Sequence, residues 1–335
     1  MRRMWALLSI VFALAACGGG DATPTITPRP TLTPTPLSTP LAYVPSPIPA
    51  GFAENPLQFV IVAQDSANAQ AVQAELSARL LELSGVNVNV VVANRSAEAI
   101  SALCRSGIEA VSAVWVAGLG YASARASGCG DALLRLELTD GRNDALGYEG
   151  VLLYSRRMET NSVSDTAGKN FCRLGYDDVY SWLLPTLILR NAGVNPDTLR
   201  VRDYADTESL LKGFVDTECD VTAMRLDAYD ALVEEGANGI GQVRVVSRSQ
   251  PLPAGVLFVS PLLSSDKQAR LIEALLDLSR LDSTAEVTPA PDSTADNLLA
   301  PFFGVGRLVR VEARDFNALN SFLDATGINF RGLGQ

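Results

Sequence analysis

The 335-residue sequence contains no histidine. This absence excludes Ser–His and Cys–His pairs, the usual means of activating a nucleophile near neutral pH. The five cysteines form no C-x-x-C pair, so a zinc site is not expected either. Gly118 to Ser123 spell G-x-G-x-x-S, which lacks the third glycine of a dinucleotide-binding fingerprint. We therefore predict that the chain is not an enzyme and holds no cofactor and no metal.

Basic clusters and long apolar runs are also lacking. The sequence has 27 Lys and Arg against 37 Asp and Glu, which gives a net charge of −10. No basic patch carries interleaved aromatic residues, so nucleic acid is not an expected partner. Beyond the N-terminal segment, no apolar run approaches the roughly twenty residues that a membrane-spanning helix needs.

The N-terminus has the pattern of an export signal. Arg2 and Arg3 precede an apolar run over 4–13, and the tetrapeptide LAAC ends at Cys17. A short basic segment, about ten apolar residues and small residues before a cut are typical of secretory signals. LAAC resembles a bacterial lipobox, after which the cysteine is acylated and becomes the new N-terminus. We predict a lipoprotein signal over 1–17 and an extracytoplasmic protein that Cys17 anchors to the membrane.

A segment rich in Thr and Pro follows the predicted anchor. Residues 18–54 begin GGGDATPTITPRPTLTPTPLSTP and carry few charges. Such a composition favours extended polyproline II conformers and cannot bury a core. It is interpreted as a semi-rigid spacer between membrane and domain, or alternatively as a flexible tail without a role.

The remaining chain alternates strand and helix patterns. LQFVIVA and VNVNVVVA are dense in β-branched residues, and the helical pattern between them ends at Gly85. DVYSWLLPTLILRNAG is predicted to be one apolar helix with Pro185 in its interior. The succession indicates an α/β fold with mixed, mostly parallel sheets. Some 280 residues exceed the usual single core, so two Rossmann-like lobes are expected. Residues 283–296 are predicted to be a surface insert.

Four cysteines remain once Cys17 is assigned to lipid. An even number in an oxidising compartment indicates disulfides, for which three pairings exist. We favour Cys104 with Cys129 and Cys172 with Cys219, because each pair then lies within one predicted lobe. Four buried free thiols remain the alternative.

Six segments in order carry a family resemblance. They are NVNVVVANRSAEAISALCRSG, SAVWVAGLGYASA, GYEGVLLYSRRM, YSWLLPTLILRNAGVNPD, CDVTAMRLDAYDALVEEG and LPAGVLFVSPLL. Together they resemble the phosphate, phosphite and phosphonate-binding subunits of ABC importers, which have the type II periplasmic-binding-protein fold. The second resembles that family's AFLGPxSYxxA, with Gly118 at the proline and Tyr121 at the tyrosine. The fourth resembles SGYLVPxxLLxxAGIDPD, with Pro185 matching.

The resemblance implies an ABC importer subunit that captures a small polar solute between two lobes. Lobe 1 would comprise 55–146 with 256–335, lobe 2 would comprise 147–255, and a two-strand hinge would join them. A permease, a small molecule and the membrane are the implied partners of a monomer. A surface lipoprotein that senses a ligand or holds a partner, without transport, is the alternative.

The chain departs from the family where the anion is held. The family opens a helix with Ser-Thr-Ser-Gly, whose hydroxyls and free N–H groups bind phosphonate. Here the run is Asp178-Val179-Tyr180-Ser181, preceded by Asp177. A carboxylate there can cap the helix itself and repels an anion. We therefore expect weak binding of phosphate, phosphite and methylphosphonate.

Ligands of such folds lie beyond the carboxyl ends of parallel strands, between the lobes. Tyrosines with acidic neighbours favour an amine or nitrogen heterocycle, although ordinary packing explains any one tyrosine equally well. Arg225 is a candidate for holding a carboxylate or phosphate, or else a surface ion pair. A small polar organic solute ranks first and an oxyanion second. The predicted ligand contacts are Asp65, Ser66, Tyr121, Tyr148, Asp178, Tyr180, Ser181 and Arg225, with Gln64 and Leu119 nearby.

Overall fold

The computed structural model describes residues 48–139, 145–284 and 298–331. For residues 281–284 it describes the backbone only. Cys17, the predicted signal, most of the predicted spacer and most of the predicted insert over 283–296 lie outside these residues. Within the described ranges, no helix is both long enough and apolar enough to span a membrane.

The described chain alternates strands and helices, as the sequence pattern predicts. The strands are β1 (Leu57–Val62), β2 (Val88–Ala93), β3 (Ser112–Val116), β4 (Asp131–Glu137), β5 (Gly147–Tyr148), β6 (Gly150–Ser155), β7 (Asn170–Arg173), β8 (Arg200–Asp203), β9 (Val221–Arg225), β10 (Val243–Arg248), β11 (Leu252–Pro253), β12 (Val256–Val259) and β13 (Arg307–Arg310). The helices are α1 (Ser66–Ser84), α2 (Ser96–Cys104), α3 (Leu119–Ser127), α4 (Leu184–Asn191), α5 (Thr207–Val215), α6 (Leu226–Glu234), α7 (Ser265–Thr284), α8 (Ala300–Phe303) and α9 (Asn317–Ala325).

Two large sheets organise these elements. A six-stranded sheet has the order β13-β4-β12-β3-β1-β2, and a five-stranded sheet has the order β10-β6-β9-β7-β8. The first sheet draws its strands from both ends of the described chain, and the second from its middle. The predicted class, α/β with two mixed sheets, is confirmed.

The predicted predominance of parallel pairs is wrong. In the described chain β1 runs parallel to β2 and β3, and β7 runs parallel to β8 and β9. The other pairings are antiparallel, because β4, β12 and β13 complete one sheet and β6 and β10 complete the other. The return of the chain through β12 reverses the strand direction in the first sheet.

Each face of the six-stranded sheet is covered by helices. Side chains alternate across a strand, so Leu57, Phe59 and Ile61 of β1 share one core with α1, α7 and α8. Val60 points to the other core, which α2, α3 and α9 cover. Successive apolar residues of β1 are therefore buried on both faces, as expected for a strand inside a doubly covered sheet.

Residues 48–54, which the sequence assigned to the spacer, pack on the folded chain. Ala50 is buried, and its carbonyl oxygen accepts a 2.5 Å hydrogen bond from Lys267 Nζ. The Gly51 carbonyl accepts from the Asn87 N–H at 2.9 Å. Burial of the ammonium group lowers the pKa of Lys267. The contacts of Ala50 and Gly51 show that the folded part begins before residue 55.

The predicted single helix around Pro185 is wrong in its first turns. A π-turn (Val179–Leu183) precedes α4, and Pro185 lies at the start of α4 rather than inside a continuous α-helix. The Leu183 N–H donates to the Asp178 carbonyl five residues back, at 3.0 Å. Proline lacks an N–H and its ring crowds the carbonyl four residues earlier. The wider π-turn accommodates that ring.

Both favoured disulfides are confirmed. Cys104 at the end of α2 joins Cys129 after α3, with Cα atoms 4.9 Å apart. Cys172 of β7 joins Cys219 just before β9, with Cα atoms 5.7 Å apart. Each bond links elements that neighbour each other in one sheet or on one of its faces.

Two short strands form the hinge that the family resemblance implies. β5 and β11 pair antiparallel as a two-stranded sheet, with Tyr148 opposite Leu252 and Gly147 opposite Pro253. The backbones approach so closely that a Cβ on Gly147 would overlap the Leu252 carbonyl oxygen. Glycine is therefore required at this crossing.

Gly147→Ala is expected to lower the free energy of unfolding by about 1–3 kcal/mol, because the new methyl group forces the hinge strands apart. Chemical denaturation measures the change. Gly241→Ala is the matched control, since a Cβ there meets nothing within 4 Å. Equal stability of the two variants would contradict the close approach.

Candidate functional site

A cavity of about 520 Å³ lies beside the hinge. One wall is formed by α2 and α3, which pack on the six-stranded sheet. The opposite wall is formed by the π-turn, α4 and the end of β9, which belong with the five-stranded sheet, and hinge residues lie between the two walls. The lining residues are Gln64, Ser96, Ile100, Ala117, Gly118, Leu119, Gly120, Ser123, Tyr148, Val179, Tyr180, Leu183, Thr186, Leu187, Arg225, Pro253, Ala254, Ile328 and Phe330.

The strand directions explain where the cavity lies. Gln64 follows the carboxyl end of β1, Ala117 follows that of β3, and Arg225 ends β9. Carboxyl ends of parallel strands gather at one edge of a sheet, where ligands of open α/β folds bind. A mostly apolar cavity with a few polar groups at such an edge has the general character of a small-molecule site.

Arg225 is the cationic side chain that lines the cavity, among the described residues. Its Nε donates to Asp227 Oδ1 at 2.5 Å, and its Nη2 donates to Oδ2 at 2.8 Å. The guanidinium carbon lies 4.4 Å from the centre of the Tyr148 ring. Burial lowers the pKa of Arg225, but the hydrogen bonds and charge of Asp227 outweigh it and raise the pKa overall. The positive charge at this wall is therefore neutralised before any ligand arrives.

Tyr180 supplies a phenol to the same wall. Burial raises its pKa well above the ordinary value, and the nearby Arg225 charge only partly opposes this effect. The hydroxyl therefore stays protonated at neutral pH and is available as a donor or an acceptor. Since Tyr180 lies in the π-turn, the irregular start of α4 determines where the hydroxyl is presented.

Three of the eight predicted contacts, Tyr148, Tyr180 and Arg225, come together in this cavity. Gln64 and Leu119, placed nearby by the sequence, also line it. Asp65 instead caps α1: its Oδ1 accepts the Asn68 N–H at 3.1 Å, which lowers the pKa of Asp65. Ser66 is the first residue of α1.

Tyr121 is not among the lining residues. It is 4% exposed, its ring centroid lies 4.4 Å from that of Phe316, and its hydroxyl donates to Asn320 Oδ1 at 3.1 Å. Burial raises its pKa. The ordinary packing that the sequence left open for any tyrosine describes this one, so the structure does not support ligand contact by Tyr121.

The side chains of Asp178 and Ser181 accept hydrogen bonds from backbone N–H groups and do not line the cavity. Asp178 Oδ1 accepts the Ser181 N–H at 2.6 Å and caps the π-turn. Ser181 Oγ is buried and accepts the Leu174 N–H at 3.0 Å. Asp177 is exposed. The acidic, cation-binding wall expected from the sequence does not form here, because neither carboxylate lines the cavity.

Several residues that line the cavity could not be identified as ligand contacts from sequence patterns. Ser96 and Ser123 belong to helices whose patterns indicate only packing, and Thr186 lies one residue past Pro185. Ile328 and Phe330 reach the cavity from the far end of the chain. Contacts between such distant positions depend on the tertiary fold. No group of three potential metal ligands occurs among the residues that the structure describes.

Two forms of one solved protein share this fold, and a third solved structure is less similar. XAC2383 from Xanthomonas citri, in a form bound to ATP, superposes with a TM-score of 0.57 at 16% identity, over 82% of this chain and 98% of that one. Its chloride-bound form gives 0.55 at 16% identity, over 83% and 99%. PhnD1 from Prochlorococcus marinus in complex with methylphosphonate gives 0.48 at 12% identity, over 81% and 98%. No curated protein sequence matches the chain.

The family itself is established by sequence. The model of the family described as "ABC transporter, phosphonate, periplasmic substrate-binding protein" matches residues 59–315. The chain therefore belongs to this family of extracytoplasmic solute-binding proteins, whose members work with the permease of an ABC transporter. This is a class of transport proteins and not a class of enzymes.

Proposed function

We propose that the protein captures a small, polar organic solute in the cavity beside the hinge and delivers it to an ABC permease as a lipid-anchored monomer without catalysis. The cavity, with both sheets contributing walls, is the observation that carries this proposal. Residues 55–146 with 256–335 form one lobe in this scheme, and 147–255 form the other. The strand membership of the two sheets supports that division.

The composition of the walls favours a solute without a large net charge. Apolar side chains such as Ile100, Leu187 and Phe330 make up most of the surface. The guanidinium of Arg225 is already paired with Asp227. A dianionic ligand would lose its hydration without meeting an unpaired counter-charge, which is costly in a low-dielectric site. A neutral nitrogen-containing solute therefore ranks above a phosphonate dianion.

Screening by thermal shift against small solutes, followed by uptake measurements in a deletion strain, tests the transport role. The expected result is a solute that raises the melting temperature and whose uptake requires this protein. Binding with unchanged uptake after deletion would instead favour the sensing role.

Replacement of Cys17 by alanine is expected to release the protein from the membrane, because the acylated thiol would be the anchor. A diacylated cysteine holds a protein far more firmly than a single chain. Fractionation and intact mass of the exported protein measure the effect. A wild-type protein recovered wholly soluble with Met1 intact would contradict the proposed anchor.

A further inference from the structure

The start of α3 differs from the starts of α1 and of the π-turn. Those two are capped by the carboxylates of Asp65 and Asp178. The nine-residue α3 begins after Gly118, with no side-chain cap and no acidic residue in its first turn. In the described chain, the Leu119 N–H has no acceptor. A bare helix N-terminus attracts an electron-rich group.

An independent observation points to a ligand at the same place. Ser123, one turn into α3, is only 3% exposed, and its Oγ has no hydrogen-bond partner within the described residues. Ser123 lines the cavity together with Leu119. A buried hydroxyl without a partner pays a desolvation penalty that a bound group would remove.

A second hydroxyl lies against this turn. Gly120 allows Ser96 to approach, since a Cβ at Gly120 would lie 2.6 Å from Ser96 Oγ. Ser96 also lines the cavity. The nearest acidic residue of α2, Glu98, accepts from the Asn94 N–H at 3.2 Å and lines a neighbouring groove instead. No carboxylate side chain therefore lines the cavity among the described residues.

We propose that the Leu119 N–H and the hydroxyls of Ser123 and Ser96 form a subsite for an oxygen acceptor of the solute. The inference rests on the proposed solute-binding function. The acceptor is a carboxamide or carboxylate oxygen, and the apolar walls hold the body of the molecule. It carries at most one negative charge, because Arg225 is neutralised by Asp227.

Calorimetry with benzamide, benzoate, benzylamine and phenylphosphonate tests the subsite, since the four share one ring and differ in the polar group. We expect benzamide or benzoate to bind wild type more tightly than benzylamine or phenylphosphonate. Ser123→Ala should weaken the acceptor-bearing probes about tenfold, as expected for one lost hydrogen bond. Its melting temperature should be equal or higher, because no hydrogen bond of the folded protein is removed.

Ser127→Ala is the matched control. Ser127 lies one turn further along α3, donates to the Ser123 carbonyl at 2.8 Å and faces the neighbouring groove. Its affinities should equal those of wild type. Probe binding that ignores Ser123→Ala, or a preference for benzylamine, would overturn the subsite while the solute cavity stands. If the probes bind wild type and Thr186→Trp, which narrows the cavity, with equal affinity, the proposed cavity fails and the subsite fails with it. If none of the probes binds wild type, the subsite fails while the solute cavity stands.

Discussion

Replacing Cys172 and Cys219 together by alanine is expected to lower the free energy of unfolding by roughly 4 kcal/mol. The disulfide closes a loop with a sequence separation of 47 residues. The chain-entropy model assigns about this amount to the lost constraint on the unfolded chain. Both residues are fully buried, so the small voids left by the sulfur atoms add to the loss. Guanidinium denaturation of the oxidised proteins measures the difference.

The second disulfide supplies the matched comparison. Cys104 and Cys129 are separated by 25 residues, about half as many. Halving a loop changes its closure entropy by only about 0.6 kcal/mol, so the alanine pair there should lose slightly less stability. A Cys172→Ala/Cys219→Ala variant as stable as wild type would show that this bond does not constrain the fold.

Asp178→Gly is expected to raise the affinity for methylphosphonate by up to about a hundredfold, because it frees a backbone N–H that the carboxylate occupies. Asp178 Oδ1 accepts the Ser181 N–H at 2.6 Å at the start of the π-turn, whose residues Val179 and Tyr180 line the cavity. A hydrogen bond to a charged acceptor contributes about 1.5–3 kcal/mol, which corresponds to roughly ten- to a hundredfold in affinity. Glycine removes the charge and costs only a few tenths of a kcal/mol as a cap relative to aspartate. Calorimetry at neutral pH measures both affinities.

Asp177→Gly is the control that separates the loss of a nearby negative charge from the release of the Ser181 N–H, which Asp178 occupies. Asp177 is adjacent in sequence but exposed. Water screens an exposed charge, so this variant should change the affinity for methylphosphonate little. Tight methylphosphonate binding by wild type that neither substitution alters would contradict the role assigned to Asp178.

The sequence predicted those parts of the fold that depend on local pattern. The β-branched runs at Leu57 and Val88 are parallel neighbours in one mixed sheet, and Gly85 ends α1 in a left-handed conformation, as its position indicated. The disulfide pairings followed from the division into lobes. β4 was missed because DALLRLE consists largely of good helix formers, and only pairing with β12 and β13 makes it a strand.

The candidate site was predicted only where its residues follow from local pattern and strand order. Tyr148, Tyr180 and Arg225 follow from the positions of strand ends and of the hinge. Tyr121 matches a family motif but is turned into the core by Phe316 and Asn320, residues far along the chain. A motif fixes the backbone position of a side chain, whereas tertiary packing determines its direction.

The central claim is that the cavity beside the hinge holds the solute. Calorimetry of wild type, Thr186→Trp and Arg190→Trp with the solute selected by thermal shift tests it most directly. Thr186 lines the cavity, whereas Arg190 is exposed on the same helix and does not. The account predicts one site per chain in wild type and Arg190→Trp, and no binding heat in Thr186→Trp. Equal affinity in all three proteins would contradict it.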